Sequence, residues 1–145
     1  LQHAWSEVGL DIDIDVAPSG IDAERVARSE VPLFRKSWLA DYPDAENFLG
    51  LFDSDRWTPG GPNYTRYADQ RVDSLLHAAS LLPTGEKRLA LMSEAERLVL
   101  DAMPVIPLWH DDVVHLVSTD WSGWRVTPNN RLDLRRVERR AEARP

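Results

Sequence analysis

Two stretches in the second half of the chain carry apolar residues at every third or fourth position, the spacing of one helix face. The first predicts a helix from Asp69 to Leu82. The second predicts a helix from Gly85 to Met103, whose stripe is Leu89, Met92, Ala95, Leu98, Val99 and Ala102, and Pro104 ends it. Shorter patterns predict helical turns over residues 1–8, 21–30 and 44–52. The turn-rich residues 53–64 predict a surface loop.

Other segments alternate apolar and polar residues, which is typical of half-buried strands. The clearest is LDIDIDV at residues 10–16, with its aspartates on one side and its aliphatic side chains on the other. Further strands are expected over 31–40, 105–110 and 113–117, with a weaker candidate at 132–134. A helix between two strands indicates a βαβ unit, so the predicted fold class is α/β.

Composition narrows the class of protein. The chain has 145 residues, no cysteine and no apolar run long enough to cross a membrane. Net charge is −7, divided into −11 over residues 1–120 and +4 over residues 121–145. The acidic body argues against nucleic-acid binding, which needs a basic face. The basic end, Arg131 to Arg144, is interpreted as a solvated terminus, with a structural or interaction role as the alternative.

No catalytic motif is present. His110, Asp111, Asp112 and His115 form a metal-like cluster, but a polar turn between two strands explains these residues more simply, so neither a metal nor another cofactor is expected. Asp41, Asp44 and Glu46 lie close together in the sequence and could suggest a glycosidase. Such an enzyme needs two carboxylates at a defined separation, and nothing in the sequence identifies the residue that would supply the second. Asp44 is instead expected to cap the short helix that follows.

The most suggestive segment runs from Ser37 to Asp44. A predicted strand ends there, and ligands of open α/β sheets bind outside the carboxyl ends of strands. Asp41 between Trp38 and Tyr42 offers a carboxylate for a cationic group and aromatic faces for packing. A capped turn with core aromatics is the structural alternative.

Together with the eight residues that follow, this segment reads SWLADYPDAENFLGLF at residues 37–52. The whole stretch resembles a signature of bacterial extracellular solute-binding proteins of family 5, the peptide-, dipeptide- and nickel-binding components of ABC importers. Four further segments resemble family motifs in the expected order, and the opening residues 5–16 are similar as well. They are Asn63-Tyr64 with Tyr67, RVDSLL at 71–76, Lys87-Arg88 with Glu94-Ala95-Glu96, and AMPVIPL at 102–108.

The resemblance implies an incomplete C-terminal lobe of a two-lobed, type II-like periplasmic-binding-protein clamshell. Residues 1–117 would form most of the second ligand-binding lobe. Residues 118–145 would return to the first lobe and form the C-terminal tail. Apolar surface left open by the absent lobe would then favour self-association. In peptide-binding members the matching aspartate pairs with the ligand's α-ammonium, a role that falls here to Asp41. The other expected ligand-binding residues are Trp38, Tyr42 and Asn63.

The function implied is the capture of peptides or similar small solutes outside the cytoplasm and their delivery to ABC permease subunits. Such a protein is not an enzyme. It would be periplasmic or extracytoplasmic, with lipoprotein anchoring expected for a full-length form. The alternative from another class is carbohydrate binding or hydrolysis by the aromatic and carboxylate residues.

Overall fold

A computed structural model describes residues 1–127 and 131–140. Five α-helices occur within these ranges: α1 (Gln2–Ser6), α2 (Ser19–Ala27), α3 (Glu46–Leu49), α4 (Gln70–Ser80) and α5 (Glu86–Ala102). Two 3-10 turns, Gly50–Phe52 and Ser54–Arg56, extend the path from α3 towards α4. The helical segments thus occupy the places that the apolar periodicity predicts.

Helices α4 and α5 form an antiparallel hairpin that provides most of the core. Small side chains at the contact, Ala79 and Ala95, are completely buried, which allows the two backbones to approach closely. Helix α3 and the turn after it pack against the hairpin. The core comprises Leu49, Phe52, Val72, Ala79, Met92, Ala95 and Val99.

Local signals in the sequence fix the ends of the hairpin helices. Asp69 accepts hydrogen bonds from the backbone N–H groups of Arg71 and Val72, which α4 would otherwise leave unpaired. At the C-terminal end of α5, Met103 adopts a left-handed conformation with φ of 55° and donates its N–H to the carbonyl of Val99. The predicted joint at residues 82–84 therefore connects two well-defined helices.

The strand predictions for 10–16, 31–40, 105–110, 113–117 and 132–134 are wrong for the described structure, where these segments are irregular. A strand requires backbone hydrogen bonds to a neighbour, and among the described residues none of these segments has a ladder partner. Their apolar side chains are correspondingly exposed, Val16 by 86% and Leu116 by 96%. The expected βαβ unit is consequently not formed.

Within the described ranges, sheet structure is limited to a short antiparallel pair near the C-terminus. Strand β1 (Trp121–Ser122) pairs with β2 (Glu138–Arg139), and Trp121 lies opposite Arg139. Glu138 and Arg139 are thus paired, while residues 141–145 lie outside the described part of the chain.

Candidate functional site

Three of the four predicted ligand-binding residues lie together on the exposed segment before α3. Trp38 is 36% exposed and Tyr42 is 45% exposed, and Asp41 lies between them with its side chain also at the surface. An acidic residue and two aromatic residues therefore lie on one exposed segment. This is the combination that a cationic ligand with an apolar body requires.

Asn47, a residue that was not predicted from the sequence, holds the exposed segment through hydrogen bonds. Asn47 is buried on α3, and its Oδ1 accepts a hydrogen bond of 2.9 Å from the indole Nε1 of Trp38. The same oxygen accepts a second bond, of 3.3 Å, from the backbone N–H of Asp41. One amide oxygen thus ties the aromatic ring and the backbone of the aspartate to the same helix.

A second missed residue connects this helix to the core. Arg88, on α5, is 8% exposed and forms ion pairs with Asp44 at 2.6 Å and with Glu46 at 2.8 Å. Hydrogen bonds from the Arg88 guanidinium and from the backbone N–H of Glu46 lower the pKa of Asp44 below its ordinary value. Asp44 was expected as the helix cap, but the N-cap position of α3 is Ala45; Asp44, one residue earlier, accepts a hydrogen bond of 2.9 Å from the backbone N–H of Glu46.

A signal for Arg88 exists in the sequence. Positions 88, 92, 95 and 99 share one face of α5, so Arg88 continues the stripe formed by Met92 and Val99. A charged residue on a buried face needs paired carboxylates. The sequence analysis placed Leu89 on the stripe instead, and Leu89 is 55% exposed.

The fourth predicted site residue, Asn63, is completely buried in the loop before α4. Its Nδ2 donates to the carbonyls of Asp53 and Tyr67, and its Oδ1 accepts from the hydroxyl of Thr65. These bonds give Asn63 a role in holding the loop. A direct ligand contact by Asn63 stays a prediction.

Residues of the basic end lie beside the exposed segment. The guanidinium of Arg131 donates a hydrogen bond of 3.3 Å to the backbone carbonyl of Asp41, across 90 positions of sequence. Nearby in sequence, the ammonium of Lys36 lies 3.6 Å from the centre of the Tyr64 ring. Arg131 therefore brings a positive charge to the backbone of the exposed segment.

Other candidate chemistry is not assembled within the described residues. They contain no group of three or more histidine, aspartate or glutamate side chains placed to hold a metal. In the predicted turn, Trp109 donates its indole N–H to Asp111, and the ring of His115 packs 5.3 Å from that of Trp124. A surface depression between α4 and α5 contains none of the predicted site residues; it is lined by Gln70, Arg71, Ser74, Leu75 and Glu94.

No family model matches the chain, but individual proteins do. It is 29% identical over 137 residues to the probable di/tripeptide-binding protein 5 of Pseudomonas aeruginosa, covering 94% of this chain and 26% of that protein. It is also 29% identical over 110 residues to the oligopeptide-binding protein OppA of Bacillus subtilis, covering 75% of this chain and 20% of that one. The chain thus spans about a quarter of the length of these relatives.

Two solved structures show which fold the chain has. HbpA2 from Haemophilus parasuis superposes with a TM-score of 0.77 at 19% identity, over 97% of this chain and 27% of that one. The pheromone receptor PrgZ, whose structure shows its mode of peptide binding, gives 0.72 at 22% identity, over 97% and 26%. The chain has the fold of part of a type II periplasmic-binding-protein clamshell, which confirms the incomplete clamshell that the resemblance implies.

The relatives also confirm the resemblance to extracellular solute-binding proteins of family 5, several of which are named as peptide-binding proteins. They are named as binding proteins rather than as enzymes, and they do not favour the carbohydrate or hydrolytic alternative.

Among the described residues no helix is both long and apolar enough to cross a bilayer.

Proposed function

We propose that the chain is part of the substrate-binding component of an ABC importer, which captures short peptides outside the cytoplasm and presents them to permease subunits. The observation that carries this proposal is the exposed segment Trp38–Tyr42, which is hydrogen-bonded to Asn47 and lies within the stretch that matches peptide-binding relatives. A protein with this role binds and releases its solute unchanged, so no enzymatic activity is proposed.

The chemistry of the segment suits the amino end of a peptide. A free α-amino group has a pKa of about 8 and is therefore cationic at neutral pH. The exposed carboxylate of Asp41 can accept a charge-assisted hydrogen bond from it. Trp38 and Tyr42 offer ring faces for the ligand's apolar groups. Recognition of the terminal ammonium rather than of a particular side chain would allow many peptide sequences to bind.

The two-part organisation is also proposed rather than established. We place most of one ligand-binding lobe in residues 1–117 and the return to the other lobe in residues 118–145. The antiparallel pair of β1 and β2 supports this division, because both strands lie after the boundary and pair with each other. An extracytoplasmic location with a lipid anchor, and self-association through the exposed apolar surface, complete the proposal.

Titration of dialanine into the full-length protein that contains this chain tests the function, with binding followed by calorimetry. Truncating one partner of a desolvated ion pair costs about 2–5 kcal/mol, so Asp41→Asn should weaken binding by about thirtyfold or more. N-acetyl-dialanine, which lacks the ammonium, should bind the wild-type protein as weakly as dialanine binds the variant.

The matched control is Asp13→Asn, which removes an exposed aspartate from another part of the chain. It should leave the affinity for dialanine unchanged. Equal affinity of the wild-type and Asp41→Asn proteins would refute the role of Asp41. Failure of the wild-type protein to bind dialanine or trialanine would refute peptide capture itself.

A further inference from the structure

The buried guanidinium of Arg88 makes contacts that extend beyond the core. It projects from α5 and holds two carboxylates at once, Asp44 through Nη1 and Glu46 through Nη2. Its side chain is 9% exposed, whereas the carboxylates are 25% and 41% exposed. Removing charged groups from water is costly, and a buried ion pair is weak evidence for stability alone. Such a pair can instead select one arrangement of the elements that it connects.

In this protein the ion pairs of Arg88 hold the start of α3 in one position. Asp44 uses one carboxylate oxygen for Arg88 and the other for the backbone N–H of Glu46, while Glu46 returns to the same guanidinium. Arginine presents a planar fork of donors, so both carboxylates are held in a defined orientation. The four-residue helix α3 is too short to be stable alone and depends on such contacts for its position.

The next residue of α3, Asn47, connects this helix to the exposed segment. Asn47 follows Glu46 directly, and its Oδ1 accepts from both the Trp38 indole and the Asp41 backbone N–H. The core helix α5 is therefore connected to the two residues proposed to meet the ligand through the ion pairs of Arg88, the backbone of α3 and the hydrogen bonds of Asn47. A displacement of α3 would move the Trp38 ring and the Asp41 carboxylate together.

We propose that Arg88 is a positioning residue of the ligand site, which orients Trp38 and Asp41 through Asp44, Glu46 and Asn47. This inference rests on the proposed function and adds a determinant of affinity that does not touch the ligand. Preorganised groups bind more tightly because they lose less conformational freedom on binding. Removing the guanidinium should consequently reduce affinity even in a protein that folds.

The chain offers a matched control on the same helix. Arg97 also pairs with a carboxylate, Asp101 at 2.9 Å, but its side chain is 60% exposed and it contacts neither α3 nor the exposed segment in any described hydrogen bond. Arg88→Met and Arg97→Met therefore make the same chemical change on one helix, with and without the connection to the site. Arg88→Lys keeps the charge but replaces the fork by a point charge.

The experiment uses the full-length protein, with dialanine as the probe and two measurements for each variant. Calorimetry gives the affinity, and the indole N–H resonance of Trp38 in a nitrogen-15 spectrum, assigned with Trp38→Phe, reports the bond to Asn47. We expect Arg88→Met to weaken binding about tenfold or more and to shift the indole resonance. Arg88→Lys should recover part of the affinity, and Arg97→Met should change neither measurement.

A folded Arg88→Met protein with unchanged affinity and an unshifted indole resonance would overturn the proposal. If Arg88→Met does not fold, Glu46→Gln removes one ion pair at constant size; it should weaken binding severalfold and shift the same resonance, and no change would overturn the proposal equally. If the wild-type protein does not bind dialanine, the proposed function fails. The indole shift then still decides whether Arg88 orients Trp38.

Discussion

Substitution of Asn63 tests whether buried amide hydrogen bonds hold the loop before α4. The side chain is fully buried and donates to the carbonyl of Asp53 at 3.0 Å and to that of Tyr67 at 2.9 Å. The Tyr67 carbonyl also accepts from the indole of Trp57, so it keeps one partner when Asn63 is truncated. The Asp53 carbonyl likewise keeps one partner, because it also accepts a hydrogen bond of 3.1 Å from the backbone N–H of Arg56.

The magnitude follows from these contacts. Truncation removes three hydrogen bonds, the two that Nδ2 donates and the one that Oδ1 accepts from Thr65, and each contributes about 0.5–1.5 kcal/mol. Asn63→Ala should therefore lower the free energy of unfolding by about 2–4 kcal/mol. Urea denaturation followed by tryptophan fluorescence measures it, and Asp55→Ala, an exposed change in the same loop, should stay within about 0.5 kcal/mol of wild type.

Asn63→Asp adds a dependence on pH that the alanine variant lacks. The new carboxyl group would face carbonyl oxygens in a buried place, so folding should raise its pKa above the ordinary value of about 3.9. The folded variant then binds its proton more tightly than the unfolded chain does. Its free energy of unfolding should fall, relative to Asn63→Ala, as the pH rises above about 4.

Two results would refute this reasoning about Asn63. The first is an alanine variant within 0.5 kcal/mol of wild type, the range expected for ordinary surface changes. The second is an aspartate variant whose difference from Asn63→Ala is the same at pH 4 and at pH 7. Either result would mean that the amide donors do not hold the loop.

Three further predictions concern the core, a helix start and a surface carboxyl. Met92→Ala should destabilise the chain by about 2–5 kcal/mol in urea denaturation, whereas Met103→Ala, at a position 59% exposed, should cost far less. Asp69→Ala removes the acceptor for two backbone N–H groups of α4 and should cost about 1 kcal/mol in the same assay. Hydrogen bonds from Arg135 hold the pKa of Asp133 at about 2, and carboxyl-carbon NMR titration should find that pKa returned towards 3.9 in Arg135→Gln.

Helices α4 and α5 could be predicted from the sequence because each buries a periodic face against the other, which is its neighbour in the chain. Val72 and Val99 are almost completely buried at positions where the apolar stripe requires it. Asp69, Pro104 and the joint at 82–84 mark the helix ends through local chemistry that needs no distant contact. For this part of the fold, local pattern and tertiary packing agree.

The candidate site could be predicted only in part. Trp38, Asp41 and Tyr42 were identified from their chemistry and from a family signature, and they do share one exposed segment. Asn47 and Arg88 were not identified, because their importance depends on contacts across as many as 44 positions. The sequence does hold one signal for Arg88, namely its position on an otherwise apolar face of the predicted helix.

The failure of the strand predictions and the exposed apolar surface have one physical cause. The segments that alternate like strands are the ones whose large side chains remain in contact with solvent, as Leu10, Ile14 and Val114 show at 54%, 59% and 79% exposure. Alternation specifies which face a strand would bury, but burial needs a sheet, and a sheet needs neighbours with free backbone groups. Among the described residues these neighbours are not supplied, so the pattern is present without the structure that it encodes. The hairpin of α4 and α5 needs no such neighbour, because its two helices bury their apolar faces against each other.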